Sequence, residues 1–148
     1  MNQILRTVKP SLLLAVLLAV GASCSASAQN QTIHPGPILS SGRVVGNMLF
    51  VAGLKGVPEK GKTLADYDIT AQSEMGFAAI KSVVEQAGFK MSDIVSVNVY
   101  LVDINEIDKM NEVYKKIMPD PKPARVTTEV GHIRSGGRIE ISCIAIKQ

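Results

Sequence analysis

The chain has few of the side chains from which metal centres and cross-linked scaffolds are built. Its 148 residues include two histidines, His34 and His132, and two cysteines, Cys24 and Cys143. The histidines share no metal-ligand spacing with cysteine, aspartate or glutamate, so we expect both at the surface and predict no metal site. Cys143 follows the alternation of the isoleucines around it, which predicts a core residue rather than a nucleophile.

A basic stripe is also lacking. The formal net charge of +3 includes two basic residues, Arg6 and Lys9, that precede an apolar run over residues 11–22. Ala26-Ser27-Ala28 then has the small-x-small pattern of a cleavage site, and the whole segment has the layout of a secretory signal peptide. The apolar run is too short to span a bilayer comfortably. Removal of the segment lowers the net charge to about +1, which argues against nucleic acid as a partner.

We therefore predict a signal peptide over residues 1–28 and a single domain over residues 29–148, of about 120 residues. The protein is expected to be exported, to the periplasm or the medium, with no stable membrane insertion after signal removal. Cys24 follows Gly21-Ala22-Ser23, which leaves a lipid-anchored form as a minor alternative. With Cys24 in the leader, Cys143 has no partner for an internal disulfide.

The domain alternates between strand and helix patterns. An irregular arm over residues 29–37 is followed by runs that predict β-strands, at 38–45, 48–52, 94–102 and twice within 123–146. Helical spacing predicts helices that begin at Asp68 and Asp103, the second with an Asp103-x-x-Glu106 capping box. The element order β-β-α-β-α-β-β favours an α+β fold with two helices on one face of a mixed sheet.

Residues 56–63 match the Walker A pattern letter for letter. That motif needs its Lys-Thr pair to open a helix, whose amino end holds the phosphates. Here Leu64-Ala65-Asp66-Tyr67 intervenes before the helical period begins at Asp68. We therefore interpret residues 56–62 as a surface loop and do not predict nucleotide binding.

The candidate site residues lie in the last quarter of the chain. Arg125 opens one predicted strand and Glu140 lies within the next, where an unpaired buried charge would be costly. One interpretation is a structural ion pair. The other is that Arg125 holds a ligand carboxylate with its planar fork of donors while Glu140 orients a water or a polar ligand group. Asn111, at the edge of the apolar stripe of the second helix, is a third candidate, with a simple surface amide as the alternative.

At these residues the chain resembles the RidA (YjgF) family of reactive-intermediate enamine/imine deaminases. The similarity covers nearly all of residues 29–148. It rests on Gly36-Pro37, Gly46-Asn47, Ala71-Gln72, Ala87-Gly88, Val102-Asp103, residues 110–114, Pro123-Ala124-Arg125, residues 138–141 and residues 144–146.

The resemblance implies a chorismate-mutase-like α+β fold and a homotrimer with three ligand clefts between subunits. It also implies that Arg125 binds the carboxylate of a small 2-imino or 2-enamino acid. Water attacks the imine carbon and ammonia leaves, giving a 2-keto acid without a metal or an organic cofactor. Glu140 matches the family's cleft glutamate and Asn111 its helix asparagine.

The chain departs from the family at several expected pocket positions. Ile38-Leu39 stands where a tyrosine is frequent, Ala52-Gly53 replaces Ser-Gly, and Leu54 replaces a glutamine. Thr127 takes the place of a cysteine or small residue, and Ser142 that of a second glutamate, so either could supply a replacement hydroxyl. Two functions remain open: a deaminase whose pocket includes Leu39, Ala52, Gly53, Asn111 and Thr127, or a non-catalytic trimer that binds small carboxylates or keto acids. RNA cleavage, also attributed to parts of the family, is disfavoured by the predicted export and near-neutral charge.

Overall fold

A computed structural model describes residues 30–148, which form one six-stranded sheet with two helices on one face. The strands are β1 (Gln31–Pro35), β2 (Ser40–Val45), β3 (Met48–Leu54), β4 (Ile94–Leu101), β5 (Ala124–Glu129) and β6 (Ile139–Ile146); the helices are α1 (Ile69–Gln86) and α2 (Ile107–Ile117). The predicted mixed-sheet α+β fold is confirmed. The predicted signal peptide, with Cys24, lies outside the described residues.

The strand order is β1-β2-β3-β6-β4-β5. The β4–β5 pair is parallel, and the other neighbouring pairs are antiparallel. Because β5 is the last strand in this order, it is an edge strand. No helix between residues 30 and 148 is both long and apolar enough to cross a membrane.

Strict alternation along β6 separates a covered face of the sheet from an open one. The covered face packs on the helices, and its β6 residues are Ile139, Ile141, Cys143 and Ala145, all buried. Glu140 and Ser142 point to the open face and are half-buried. Burial raises the pKa of the Cys143 thiol to about 12, so the prediction of a core cysteine is confirmed.

The helix starts were predicted with mixed success. Asp68 caps α1, because its Oδ1 accepts a hydrogen bond of 2.9 Å from the Ala71 amide. The capping box at Asp103 is wrong. Asp103 accepts from Asn105 N in a short 3-10 turn that precedes α2, and the Glu106 carboxylate instead binds the Arg138 guanidinium at 2.6 and 2.9 Å. A bidentate, charge-assisted contact is stronger than a single hydrogen bond to a backbone amide.

The arm predicted as irregular contains β1, which is a second correction. Residues of β1 pair with β2, with Ile33 opposite Gly42, and the Ile33 side chain is buried. Backbone pairing at the sheet edge and this one core side chain stabilise a segment of weak strand propensity. The Walker-like residues 56–63 do form a loop, as predicted. A single 3-10 turn, Leu64–Asp66, separates them from α1, and no phosphate cradle can form at a helix start there.

Gln72 of α1 is a polar residue in the core, with 1% of its surface exposed. Its Nε2 donates to the carbonyls of Leu64 at 2.6 Å, Tyr67 at 3.2 Å and Gly136 at 3.3 Å. Its Oε1 accepts from the Arg138 amide at 2.8 Å. One amide therefore joins α1, the loop before α1 and the turn that leads into β6.

We expect Gln72→Glu to lower the free energy of unfolding by roughly 3 kcal/mol, because a carboxylate cannot donate to three carbonyls. Those oxygens should raise the pKa of the new carboxyl in the folded state above its unfolded value. The stability of the variant should therefore be highest at low pH and fall as pH rises through the folded pKa. Urea unfolding at pH 5 and pH 8 measures this, with exposed Gln86→Glu of the same helix as control. Equal losses in the two variants would contradict the assigned role.

Candidate functional site

Arg125 and Glu140 lie on opposite faces of the sheet. Arg125 pairs with Val97 in the parallel β4–β5 ladder, and buried Val97 faces the helices. Glu140 pairs with Tyr100 on the open face. The interpretation as an intrachain ion pair is therefore wrong, and the two side chains do not meet within one chain. Within residues 30–148 neither has a salt-bridge partner.

The first half of the candidate site is built around Arg125. Its guanidinium carbon lies 4.5 Å from the ring centroid of Tyr114, a buried residue of α2. The Tyr114 ring is itself fixed by an edge-on contact with Phe77, at 5.7 Å between centroids. A cation over an aromatic face is attracted by the ring quadrupole, which orients Arg125 and leaves its hydrogen-bond donors available. Burial raises the pKa of the Tyr114 phenol, and the nearby Arg125 charge offsets part of that shift.

Two further predicted residues belong to this half. Thr127 lies two positions after Arg125 on the same face of β5, and Asn111 lies one turn before Tyr114 on α2, half-buried. The Thr127 and Tyr114 hydroxyls are both buried and find no hydrogen-bond partner in the described chain. Such groups are costly in a finished core, and here they lie beside a guanidinium that also has no acidic partner. We call Arg125, Thr127, Asn111 and Tyr114 the arginine half-site.

The second half is a cavity of about 420 Å³ on the open face. It is lined by Gly53, Lys55, Tyr100, Val130, His132, Ile133, Arg134, Glu140 and Ser142. A Cβ at Gly53 would overlap Glu140 Oε1 and lie 2.9 Å from its carboxyl carbon, so only glycine leaves the carboxylate in this position. The Ser142 hydroxyl accepts from Asn98 Nδ2 at 3.3 Å. We call these lining residues the glutamate half-site.

Ala52 and Leu39, two further residues predicted for the pocket, lie at different places relative to the glutamate half-site. Ala52 precedes Gly53 in β3 and is half-buried. Leu39 lies in the β1–β2 turn, 63% exposed, at the same end of the β2–β3 hairpin as Gly53. Neither side chain carries a hydroxyl.

Sequence analysis missed several residues that the structure places at the two half-sites, among them Tyr114, Lys55, His132 and Arg134. The position of Tyr114 one turn after Asn111 was the available signal. His132 is exposed, as predicted, yet it lines the cavity together with Lys55 and Arg134, which no pattern had singled out. Among residues 30–148 no group of three or more potential metal ligands is present.

Comparison with known proteins places this chain in a family. The model described as Endoribonuclease L-PSP matches residues 31–147. The chain is 40% identical over 103 residues to a RutC family protein of Pyrococcus horikoshii, covering 70% of this chain and 82% of that protein. The chain therefore belongs to the Endoribonuclease L-PSP family, which is the RidA/YjgF family.

Two relatives carry more specific descriptions. The 2-iminobutanoate/2-iminopropanoate deaminase of Dermatophagoides farinae is 32% identical over 102 residues, which cover 69% of this chain and 80% of that protein. The crystal structure of E. coli TdcF with bound serine superposes with a TM-score of 0.70 at 27% identity, covering 79% of this chain and 93% of that chain. Deaminase activity is thus represented within the family.

Proposed function

We propose that this protein is an exported deaminase that hydrolyses small 2-imino and 2-enamino acids to 2-keto acids and ammonia, without a metal or an organic cofactor. The observation that carries the proposal is the Arg125 guanidinium, held on Tyr114 at 4.5 Å with no acidic partner in the described chain. A planar fork of free donors suits a carboxylate. The deaminase relative and the serine-bound neighbour agree with a small ligand that carries a carboxylate.

The two half-sites belong, in this proposal, to neighbouring subunits of a homotrimer. Arg125 lies on edge strand β5, whose outer flank has no strand partner in the described chain, while Glu140 lies on the open face. That face exposes apolar side chains, with Phe50 at 42% and Val126 at 58%. An exposed apolar face that a second copy covers would bring the arginine half-site of one subunit against the glutamate half-site of the next. Ring closure then gives three equivalent clefts.

The reaction follows from the groups that such a cleft assembles. Arg125 holds the substrate carboxylate and fixes the adjacent imine carbon. Glu140 accepts a proton from water as the water oxygen bonds to that carbon, and the imine nitrogen takes up a proton to give a carbinolamine. Glu140 then returns its proton to the amine nitrogen, the carbon–nitrogen bond breaks as ammonia leaves, and the hydroxyl loses its proton to solvent as the carbonyl of the 2-keto acid forms. Thr127 and Ser142 supply hydroxyls in place of the family groups that are lost, and Asn111 supplies a further polar contact.

An assay of ammonia release tests the reaction. An amino-acid oxidase generates the imine in place, and protein lacking residues 1–28 should release ammonia faster than the buffer control. Arg125→Ala should lower the acceleration roughly 100-fold or more, because paired charge-assisted hydrogen bonds are lost. Lys81→Ala, on the exposed face of α1, serves as control. A folded trimer that gives no rate above buffer would sink the proposal.

The same assay separates the second candidate function, a trimer that binds keto acids without turnover. The observation that favours it is the absence of a hydroxyl at Leu39 and Ala52, next to the glutamate half-site. In that case 2-keto acids would raise the melting temperature by mass action while ammonia release stayed at the buffer rate.

Mixed trimers test the division of the site between subunits. Arg125→Ala and Glu140→Gln should each be inactive alone. When the two are unfolded together and reassembled at equal amounts, about a quarter of the clefts should receive both native halves, from counting over a three-fold ring. The mixture should therefore regain about a quarter of the native activity. No recovery in a mixture shown by mass spectrometry to contain mixed trimers would place both residues in one subunit's site.

Export is the remaining part of the proposal, with cleavage after Ala28 and release to the periplasm or medium. Its support is the charged, apolar and small-residue layout of residues 1–28. The intact mass of the protein recovered from those fractions should match a chain that begins at Gln29. A mass with lipid on Cys24 would identify the anchored form instead, and an uncleaved cytoplasmic chain would contradict export.

A further inference from the structure

We propose that the glutamate half-site recognises a second carboxylate on the ligand, so that the preferred substrates are 2-imino dicarboxylates, the imines that correspond to acidic amino acids. This inference rests on the proposed function and names the substrate class of the same cleft. It comes from the positively charged side chains that line the cavity around Glu140. Binding of the first carboxylate by Arg125 does not involve these side chains.

The cavity contains more positive than negative charge. Lys55 and Arg134 contribute two cations, His132 adds an imidazole ring, and Glu140 is the one carboxylate of the lining. Neither cation forms a salt bridge within residues 30–148. By contrast, Arg138, four residues after Arg134, is fully engaged by Glu106. The charge of Lys55 and Arg134 is therefore available to a ligand.

These cations are held on ordered backbone rather than on a free surface loop. Lys55 is half-buried, and its ammonium donates to the Arg134 carbonyl at 3.0 Å, which leaves further donors of the ammonium unused. Its stem packs over Gly137, where a Cβ would lie 3.1 Å from Lys55 Cδ. The turn that carries Arg134 is fixed in turn by Gln72, which binds Gly136 and Arg138.

In the proposed cleft each charged group takes one part of a ligand. Arg125 of one subunit takes the carboxylate next to the imine. Glu140 of the next subunit takes the reacting carbon and the attacking water. Lys55 and Arg134 line the same cavity as Glu140, and a distal carboxylate there would offset both cations. A ligand with an apolar tail would leave that charge unused.

The test measures binding, so that it does not depend on turnover. Isothermal titration of the assembled protein compares 2-oxoglutarate with 2-oxopentanoate, which has the same carbon chain and lacks the distal carboxylate. Charge-assisted hydrogen bonds should make 2-oxoglutarate bind roughly 10-fold to 100-fold more tightly. The ratio should shrink at about 0.5 M salt, since part of the attraction is screened.

Variants connect the ratio to the two cations. Lys55→Met and Arg134→Gln should each lower the preference for 2-oxoglutarate several-fold, while Lys81→Met, an exposed lysine of α1 outside the cavity, should leave the ratio unchanged. Melting curves verify that each variant is folded. Equal affinities for the two keto acids, or a preference that survives both substitutions, would overturn the inference and leave the deaminase proposal standing. Absence of binding by either compound would overturn both.

Discussion

The buried amide of Gln72 is the constraint on which the rest of the structure depends. Three carbonyls and one amide, from the loop before α1 and the turn into β6, converge on it and hydrogen-bond to its side chain. Gly136, at φ +73°, allows the convergence, because a Cβ there would lie 2.8 Å from the Ala65 side chain. The turn into β6 is therefore joined to α1 by a polar contact, in addition to the apolar packing of Ile139 and Ile141.

Because side chains alternate along each strand, the two half-sites lie on opposite faces of the sheet. The Arg125 side chain lies on the helix side of the sheet, because Arg125 pairs with Val97. The Glu140 side chain lies on the open side, because Glu140 pairs with Tyr100. A one-residue shift of either strand would reverse this and expose core residues, so the register is firmly specified. The separation is thus a consequence of the core, and a site that uses both residues has to be a property of an assembly.

Sequence patterns predicted the features that local physics decides: the helix start at Asp68, the burial of Cys143 and the mixed sheet with two helices. They failed where a distant partner decides. Glu106 does not form the predicted capping box, because Arg138, far along the chain, offers a stronger contact. The Tyr114–Arg125 stack and the cavity cations depend on strand order, which no local period encodes.

The two half-sites differ in how tightly the core restrains them. Arg125 is oriented by Tyr114, and Tyr114 packs on Phe77 within the core, so a change in the arginine half-site also disturbs stability. The glutamate half-site consists largely of loop and open-face residues, whose substitution removes little buried surface. Departures from the family pattern at Leu39, Ala52 and Ser142 fall on the side of this second half, whereas Leu54 packs against the core. In the proposed cleft, carboxylate binding at Arg125 is therefore coupled to the stability of the fold, whereas the opposite wall is free to set which ligand is accepted.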